Sequence, residues 1–307
     1  MIRYNTLENL SIKDDTVVCI GNFDGLHLGH RLIISTAKNK AKEYNYKSLI
    51  LTFHPHPIKF FGGDVSLIST EKKRLELFTN ESVDYLISAE FNRELSSLSP
   101  VDFFQKVLLE KLNTKVIVVG VDYRFGAKKA GDINLLKTLG EKYNVECIFL
   151  NKLEDENKQV ISSSKIRELL INGNIEIANQ YLNRPYSMEG IVIHGDKKGR
   201  ELGYPTINLD AINEVTPKSG VYAAKVLIKN KMYNAMAYIG SRPTINNVLE
   251  KRVEANIFDF NEDVYGEYAE IFLYKYTRGD IKFNSFNELT TQMANDKIEI
   301  INFLNKL

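Results

Sequence analysis

The stretch IGNFDGLHLGH, residues 20–30, ends the apolar run TVVCIG and leads into a helical pattern. It reads as a strand turning sharply into a helix, and that junction sets the fold class of the first half of the chain. A helix start presents unpaired backbone N–H groups and the positive end of the dipole, so it attracts phosphate. His27 and His30, three residues apart, add directional donors to that rim. Gly21, Gly25 and Gly29 let the backbone turn tightly and come close to a ligand. Taken alone, the pattern also fits a tight turn with surface histidines, so the segments around it decide between the two readings.

Outward from this junction, strand-like runs at 16–21, 48–53, 83–89, 115–120 and 145–150 alternate with helical patterns near 29–45, 71–80, 100–112 and 132–143. Ser99 followed by Pro100 supplies an N-cap and an N1 proline for the third of these helices. Near-continuous apolar strands separated by helices predict a parallel sheet covered on both faces. Ligands of such sheets sit beyond the carboxyl ends of the strands. His27, Phe53, Asp122 and the loop after Leu150 all fall on that edge. A helix from about Ser164 to Leu182, interrupted near Asn172–Asn174, closes this half. Past Arg184-Pro185 the pattern changes to alternating strands joined by short turns, which predicts a small antiparallel barrel or sandwich. The segment from about Ser285 to Leu307 reads as a helix with one apolar face. The expected domains are 1–183 and 184–307.

Composition narrows the class of protein. Across 307 residues, 40 basic against 39 acidic side chains leave a net charge of +1, so nothing predicts a nucleic-acid or membrane surface. No apolar run approaches the ~18 residues of a membrane span, and the N-terminus lacks a secretory pattern. The expectation is a cytoplasmic protein, monomeric or weakly self-associating, acting on small molecules. Cys19 and Cys147 fall in predicted strands and read as reduced core thiols.

Several segments carry chemistry. In LTFHPHPIKFF (51–61), Pro55 and Pro57 stiffen the loop, while Phe53 and Phe60 offer flat apolar surface suited to an aromatic ring system. The alternative is a rigid loop packed on the core. His54 and His56, flanked by prolines, do not supply a metal ligand set. In GVDYRFGAKKAGD (120–132), Asp122 is placed to hold a ribose hydroxyl or base edge, and Phe125 adds a stacking face. Ser162, Ser163 and Ser164 precede a helical pattern, with Arg167 one turn in, where a forked guanidinium can reach phosphate. A serine cap is also common structure.

The second half holds GIVIHGDKKGRELGYPTINL (190–209), a glycine-bearing flap without a P-loop motif. Thr206 there suits a hydroxyl ligand to Mg²⁺, and Asn208 suits a metal-bound water or a phosphate. Gly195, Gly199, Arg200 and Gly203 join the candidate phosphate-binding set, as do Gly21 and Phe23 in the first half. Glu254, in RVEANIFDF, is a candidate general base, although a strand glutamate is usually only solvated.

Together, GNFDGLHLGH, TFHPHP, DYRFG, SSSKIR, GRELGYPTIN, VEANIFDF and YTRGDIKFNSFNEL make the chain resemble, nearly end to end, the bacterial bifunctional riboflavin kinase and FMN adenylyltransferase family. The resemblance implies a Rossmann-like nucleotidyltransferase domain joined to a six-stranded flavokinase barrel. It implies two reactions using ATP and Mg²⁺, the first giving FMN from riboflavin and the second FAD from FMN. By the same resemblance, Glu254 is the kinase base, Thr206 and Asn208 are its metal and phosphate residues, and His27, His30 and Arg167 serve adenylyl transfer. Phe53, Pro55, Pro57, Phe60, Phe125 and Arg278 are the implied flavin contacts. Four positions depart from the usual pattern: Ser164 for threonine, His54 for aspartate, Asn256 for histidine and Asp280 for glutamate. Altered affinity or balance between the steps is the expected consequence. A chain with one activity, or a flavin-binding sensor, is the alternative.

Overall fold

The computed structural model of the chain describes residues 1–195, 203–243 and 249–307. They form two compact units, Met1–Ser162 and Ser163–Leu307.

The first unit holds strands β1 (Ile2–Tyr4), β2 (Thr16–Ile20), β3 (Lys47–His54), β4 (Tyr85–Glu90), β5 (Thr114–Gly120) and β6 (Glu146–Leu150). They form one parallel sheet in the order β1-β4-β3-β2-β5-β6. Its helices are α1 (Leu28–Tyr44), α2 (Pro57–Phe60), α3 (Glu71–Asn80), α4 (Arg93–Ser97), α5 (Pro100–Asp102) and α6 (Ile133–Tyr143), with α5 running on as a wider π-type helix over Phe103–Leu109. Strand periodicity divides the core in two. Val18, Ile20, Leu49 and Leu51 face Phe104, Leu108 and Leu136, whereas Val17, Cys19 and Ile50 face Ile34 and Ala37 of α1 and Phe78 of α3. Each fully buried side chain of this size contributes roughly 1.5–3 kcal/mol of apolar transfer, so the sheet rather than the loops carries the unit's stability. Cys19 and Cys147 are free thiols; burial pushes the Cys147 thiol up to about 11 and that of Cys19 higher still.

The strand order places a switch point between β2 and β5. From β2 the chain moves toward β3 and β4, then returns to β5 on the other side of β2. The loops that leave β2 and β5 therefore part and open a crevice at their carboxyl ends.

The second unit begins with α7 (Ser163–Asn172) and α8 (Ile175–Leu182). Gly173 (φ 81°) makes the break expected near that point. Strands β7 (Tyr186–Ile193), β8 (Ile207–Ala211), β9 (Gly220–Ile228), β10 (Lys231–Pro243), β11 (Leu249–Ile257) and β12 (Tyr268–Arg278) close into an antiparallel barrel in the order β10-β11-β8-β7-β12-β9. This resolves the barrel-or-sandwich alternative. Ala235, Ala237 and Ile239 of β10 are fully buried on one face of that strand. The opposite parity, with Met236 and Tyr238, packs with Val221 and Ala223 against Ile300 and Leu304 of α9 (Phe286–Leu304). Both α7 and α8 are tied to the barrel: Lys218 N donates to Leu170 O at 3.1 Å, and Asn179 Nδ2 donates to Leu273 O at 2.8 Å.

Candidate active site

In the first unit the residues after β2 form a compact rim. Gly21 N donates to Leu51 O, which keeps the chain on the sheet for one more residue. Phe23, Gly25 and Leu26 then take positive φ (51°, 80° and 41°) and turn the chain into α1. Only Gly25 does so without steric cost, and its position is packed against Ile68. His27 caps α1, its Nδ1 accepting from His30 N at 3.4 Å. With Nδ1 an acceptor, the proton of a neutral His27 ring sits on Nε2, which becomes a donor. The His30 ring stacks on His27 with centroids 3.6 Å apart and meets Phe23 edge-on. His30 Nδ1 is buried without a partner, which leaves Nε2 as the nitrogen able to meet a ligand. Burial first, and the neighbouring His27 second, hold the His30 pKa well below the usual histidine value, so near neutral pH the ring is uncharged. Gly29 lies under the His27 ring; a Cβ there would stand 3.2 Å from His27 Cε1 and Nδ1.

The loop after β3 supplies an aromatic surface. His56 caps α2 through Nδ1, which accepts from Ile58 N at 3.2 Å, so this histidine is used in holding the loop. Pro55 follows a cis bond and Pro57 opens α2. Phe53, Phe60 and Phe61 gather around Phe91, with ring centroids 5.7, 5.3 and 5.9 Å from it. The sequence reading missed Phe91. It follows β4 as a single aromatic, and the β3–β4 register, continued by the 2.8 Å bond from Phe91 N to His54 O, brings it to this loop.

The loop after β5 departs from expectation. The Asp122 side chain is exposed and pairs with Lys152 at 2.9 Å. The structure gives Phe125 a core position rather than an open stacking face. It is 5% exposed, is stacked by Tyr123 and packed by Phe103, and lies so close over Gly131 that a Cβ there would meet its ring at 2.6 Å. Ser163 and Ser164 stand in the first turn of α7, Ser162 immediately before it, and Arg167, half-buried, one turn on.

In the second unit, strand register assembles the site. Glu254 of β11 lies directly opposite Asn208 of β8 and Tyr238 of β10, so the three residues form a row on one face. The side chain of Glu254 is mostly covered and pairs with Nε of Arg252, its same-face neighbour on β11. Gly195 passes so close over Asn208 that a Cβ would fall 2.3 Å from Asn208 Nδ2. Asn256 is buried, and its Nδ2 donates to Pro205 O at 2.7 Å, pinning the segment that leads to Thr206 and Asn208. Thr206 lines a cavity of about 240 Å³ with Val192, Ile207, Ala255, Ile257 and Tyr265 as apolar walls. Gly203 has φ 79° and open space at its Cβ position. Gly199 and Arg200 lie outside the described residues.

Arg278 has a different setting from the one implied for a flavin contact. Its guanidinium makes a two-pronged pair with the buried carboxylate of Asp296 on α9 (3.0 and 2.8 Å) and donates to Gly279 O. The structure uses it to fasten β12 to α9. Asp280 accepts from Tyr238 Oη at 3.0 Å and Ser219 Oγ at 2.6 Å, tying the segment after β12 to the Glu254 face.

A parallel α/β unit with a histidine-lined helix start, followed by a closed barrel carrying a mostly covered carboxylate in register with an asparagine, fits a two-part enzyme of phosphate-group transfer. Comparison with known proteins makes the class specific. A family model described as FAD synthetase matches residues 9–165, and one described as riboflavin kinase matches 182–304. Proteins named bifunctional riboflavin kinase/FMN adenylyltransferase are 38% identical from Buchnera aphidicola (94% of each chain covered), 38% from Bacillus subtilis (95% and 93%) and 32% from Escherichia coli (93% and 92%). A solved structure described as a macrolide-efflux protein from Streptococcus pneumoniae has a TM-score of 0.89, 32% identity and 98% coverage of both chains. Among the described residues no helix is long and apolar enough to cross a membrane. The chain belongs to the bifunctional riboflavin kinase/FMN adenylyltransferase family.

Proposed function

We infer that this protein phosphorylates riboflavin with ATP to FMN and then adenylylates FMN with a second ATP to FAD and pyrophosphate. The observation that supports this most strongly is the contrast between its two candidate phosphate-handling groups: stacked imidazoles at a helix start, and a carboxylate in cross-strand register with an asparagine. Residues 1–183 carry adenylyl transfer and 184–307 the kinase reaction.

In the kinase reaction the ribityl 5′-hydroxyl oxygen bonds to the γ-phosphorus of ATP as the bond to the β–γ bridging oxygen breaks. The hydroxyl proton goes to Glu254, and ADP leaves. Arg252 orients the carboxylate, and the cavity beside Thr206 takes the flat adenine base against its apolar walls. Thr206 and Asn208 present neutral oxygens, and the described residues hold no cluster of acids, histidines and cysteines that forms a metal cage. That set suits Mg²⁺ arriving on the nucleotide, with phosphates and waters as its other ligands. When bound, the metal neutralises charge on the phosphates; the proton transfer belongs to Glu254.

In the adenylyl reaction a phosphate oxygen of FMN bonds to the α-phosphorus of ATP as pyrophosphate leaves. The nucleophile is already ionised, so alignment and charge stabilisation suffice. His27 and His30 supply N–H donors at the start of α1. Phe53 and Phe60 with Phe91 take the flavin ring. Cytoplasmic location, monomeric or weakly associating behaviour and the absence of nucleic-acid partners complete the reading.

The test is a chromatographic time course with purified protein, riboflavin and Mg-ATP. FMN rising first and FAD after it is the expected result. Bound flavin with no product would overturn the reading in favour of a sensor.

A further inference from the structure

Arg74 sits in TEKKRLEL, a stretch whose charge reads as a solvated helix face, yet it is only 5% exposed. Its guanidinium is directed at the carboxyl edge of the sheet. Nη1 donates to Asn22 O at 2.9 Å and to Thr52 Oγ1 at 3.3 Å. Nη2 donates to Phe53 O at 3.0 Å and pairs with Glu71 at 2.6 Å. Thr52 Oγ1 in turn donates to Asn22 O at 3.3 Å. Asn22 opens the turn that ends in His27 and His30; Phe53 is the residue before the aromatic loop. One planar fork thus holds both loops, and each prong takes a different one.

Neighbouring contacts point the same way. Glu71 also accepts from Ser88 near the end of β4, and its Oε2 lies 3.3 Å from His54 Nδ1. The buried carboxylate of Asp24 accepts from Ile68 N and Ser69 N, just ahead of α3. The turn after β2 is therefore fastened to the start of α3 at two points, and Arg74 joins Thr52 in fastening it to the end of β3, reaching one residue further to Phe53 O.

We propose that Arg74 is a positioning residue for adenylyl transfer, setting the separation between the phosphate-holding histidines and the flavin-holding aromatic loop. The proposal rests on the reading of that site given above. Transfer depends on where the FMN phosphate stands relative to the α-phosphate, and an error of about 1 Å can cost 10²-fold in rate. A lysine keeps the charge and the pairing with Glu71, but a single ammonium cannot reproduce the fork.

The experiment measures FAD formation from added FMN in wild type and Arg74→Lys, with riboflavin phosphorylation on the same samples as internal control. The expected result is a kcat for FAD formation lower by roughly 10- to 100-fold, with KM for ATP and FMN and the kinase rate close to wild type. A kcat within twofold of wild type, or a loss confined to KM, overturns the positioning role. Should Arg74→Lys fail to fold, Glu71→Gln supplies the answer, because it keeps the Arg74 fork itself and weakens its ion pair together with the Glu71–His54 contact. A several-fold fall in kcat at unchanged KM then supports the role, and an unchanged kcat overturns it. Wild-type protein that makes no FAD overturns the underlying reading instead, so the two failures are distinguishable.

Discussion

The two sites solve the same problem, moving a phosphorus centre between oxygens, with opposite materials. In the first unit the proposed working groups stand on loops beyond a parallel sheet; the two histidines stack 3.6 Å apart, and burial, with His27 alongside, keeps His30 uncharged. In the second they stand on strands, where register alone sets Glu254 against Asn208. The difference follows from the nucleophile. The FMN phosphate brings its own negative oxygens and needs donors, whereas a ribityl hydroxyl must lose a proton and needs a base. Loops can be tuned around a triphosphate but need fastening, as at Arg74, Asp24 and the His27 cap. Strand-borne groups are fastened by the barrel itself.

The largest expected break in this comparison is Glu254→Ala, which should lower FMN formation from riboflavin by about 10²–10⁴-fold. A steady-state kinase assay checks it, and a rate within a few-fold of wild type removes Glu254 as the base. Next comes His30→Ala. Loss of charge-assisted hydrogen bonding to the phosphates should slow FAD formation by roughly 10- to 100-fold while riboflavin phosphorylation continues; the opposite pattern would reverse the assignment of the two units.

Gly29→Ala should act more gently and sharpen the account of the histidine pair. Its methyl would stand 3.2 Å from the His27 ring, so the ring must move by a few tenths of an ångström. FAD formation should fall several-fold, and equal rates for the variant and wild type would show that the stacked geometry is not needed. The smallest effect concerns pH. His30 titrates near 6.5 when unfolded and well below that value when folded. Its contribution to stability is therefore fully present above pH 6.5 and is lost as pH falls from there toward the folded value. Urea unfolding of the first unit at pH 7.5 and 5.5 should show this loss in wild type and a smaller one in His30→Gln; identical losses would place the pH dependence elsewhere.

The fold was legible where local pattern decides it. Continuous apolar strands ending in glycine, and the breaks at Gly173 and Arg184-Pro185, point directly to a parallel sheet and then an antiparallel region. What escaped depends on distant partners. Strand β1 is three residues long, lies on the sheet edge and exists through its pairing of Ile2–Tyr4 with Tyr85–Ile87. Barrel closure rests on β9 pairing with β10 and with β12, contacts that alternation cannot distinguish from a sandwich. Strand β8 was hidden in a glycine-rich run, yet it carries Asn208 into register with Glu254.

The sites follow the same rule. His27 and His30 announce themselves because their spacing and the helix start are both local. Phe125 and Arg278 read as ligand contacts because an aromatic or an arginine near a loop looks like one until its partners in the fold are known. Those partners, Gly131 and Asp296, come from a loop pairing and from a helical residue 18 positions further on. Arg74 lies in a run of charge that gives no local sign of its burial or of its bonds to Asn22 and Phe53.

If one site needs a base and the other does not, a single variant separates them. FAD formation from added FMN should be measured in Glu254→Ala, with wild type alongside. The expected result is a rate close to wild type in a protein that no longer phosphorylates riboflavin. Parallel loss of both activities in a folded protein would contradict it.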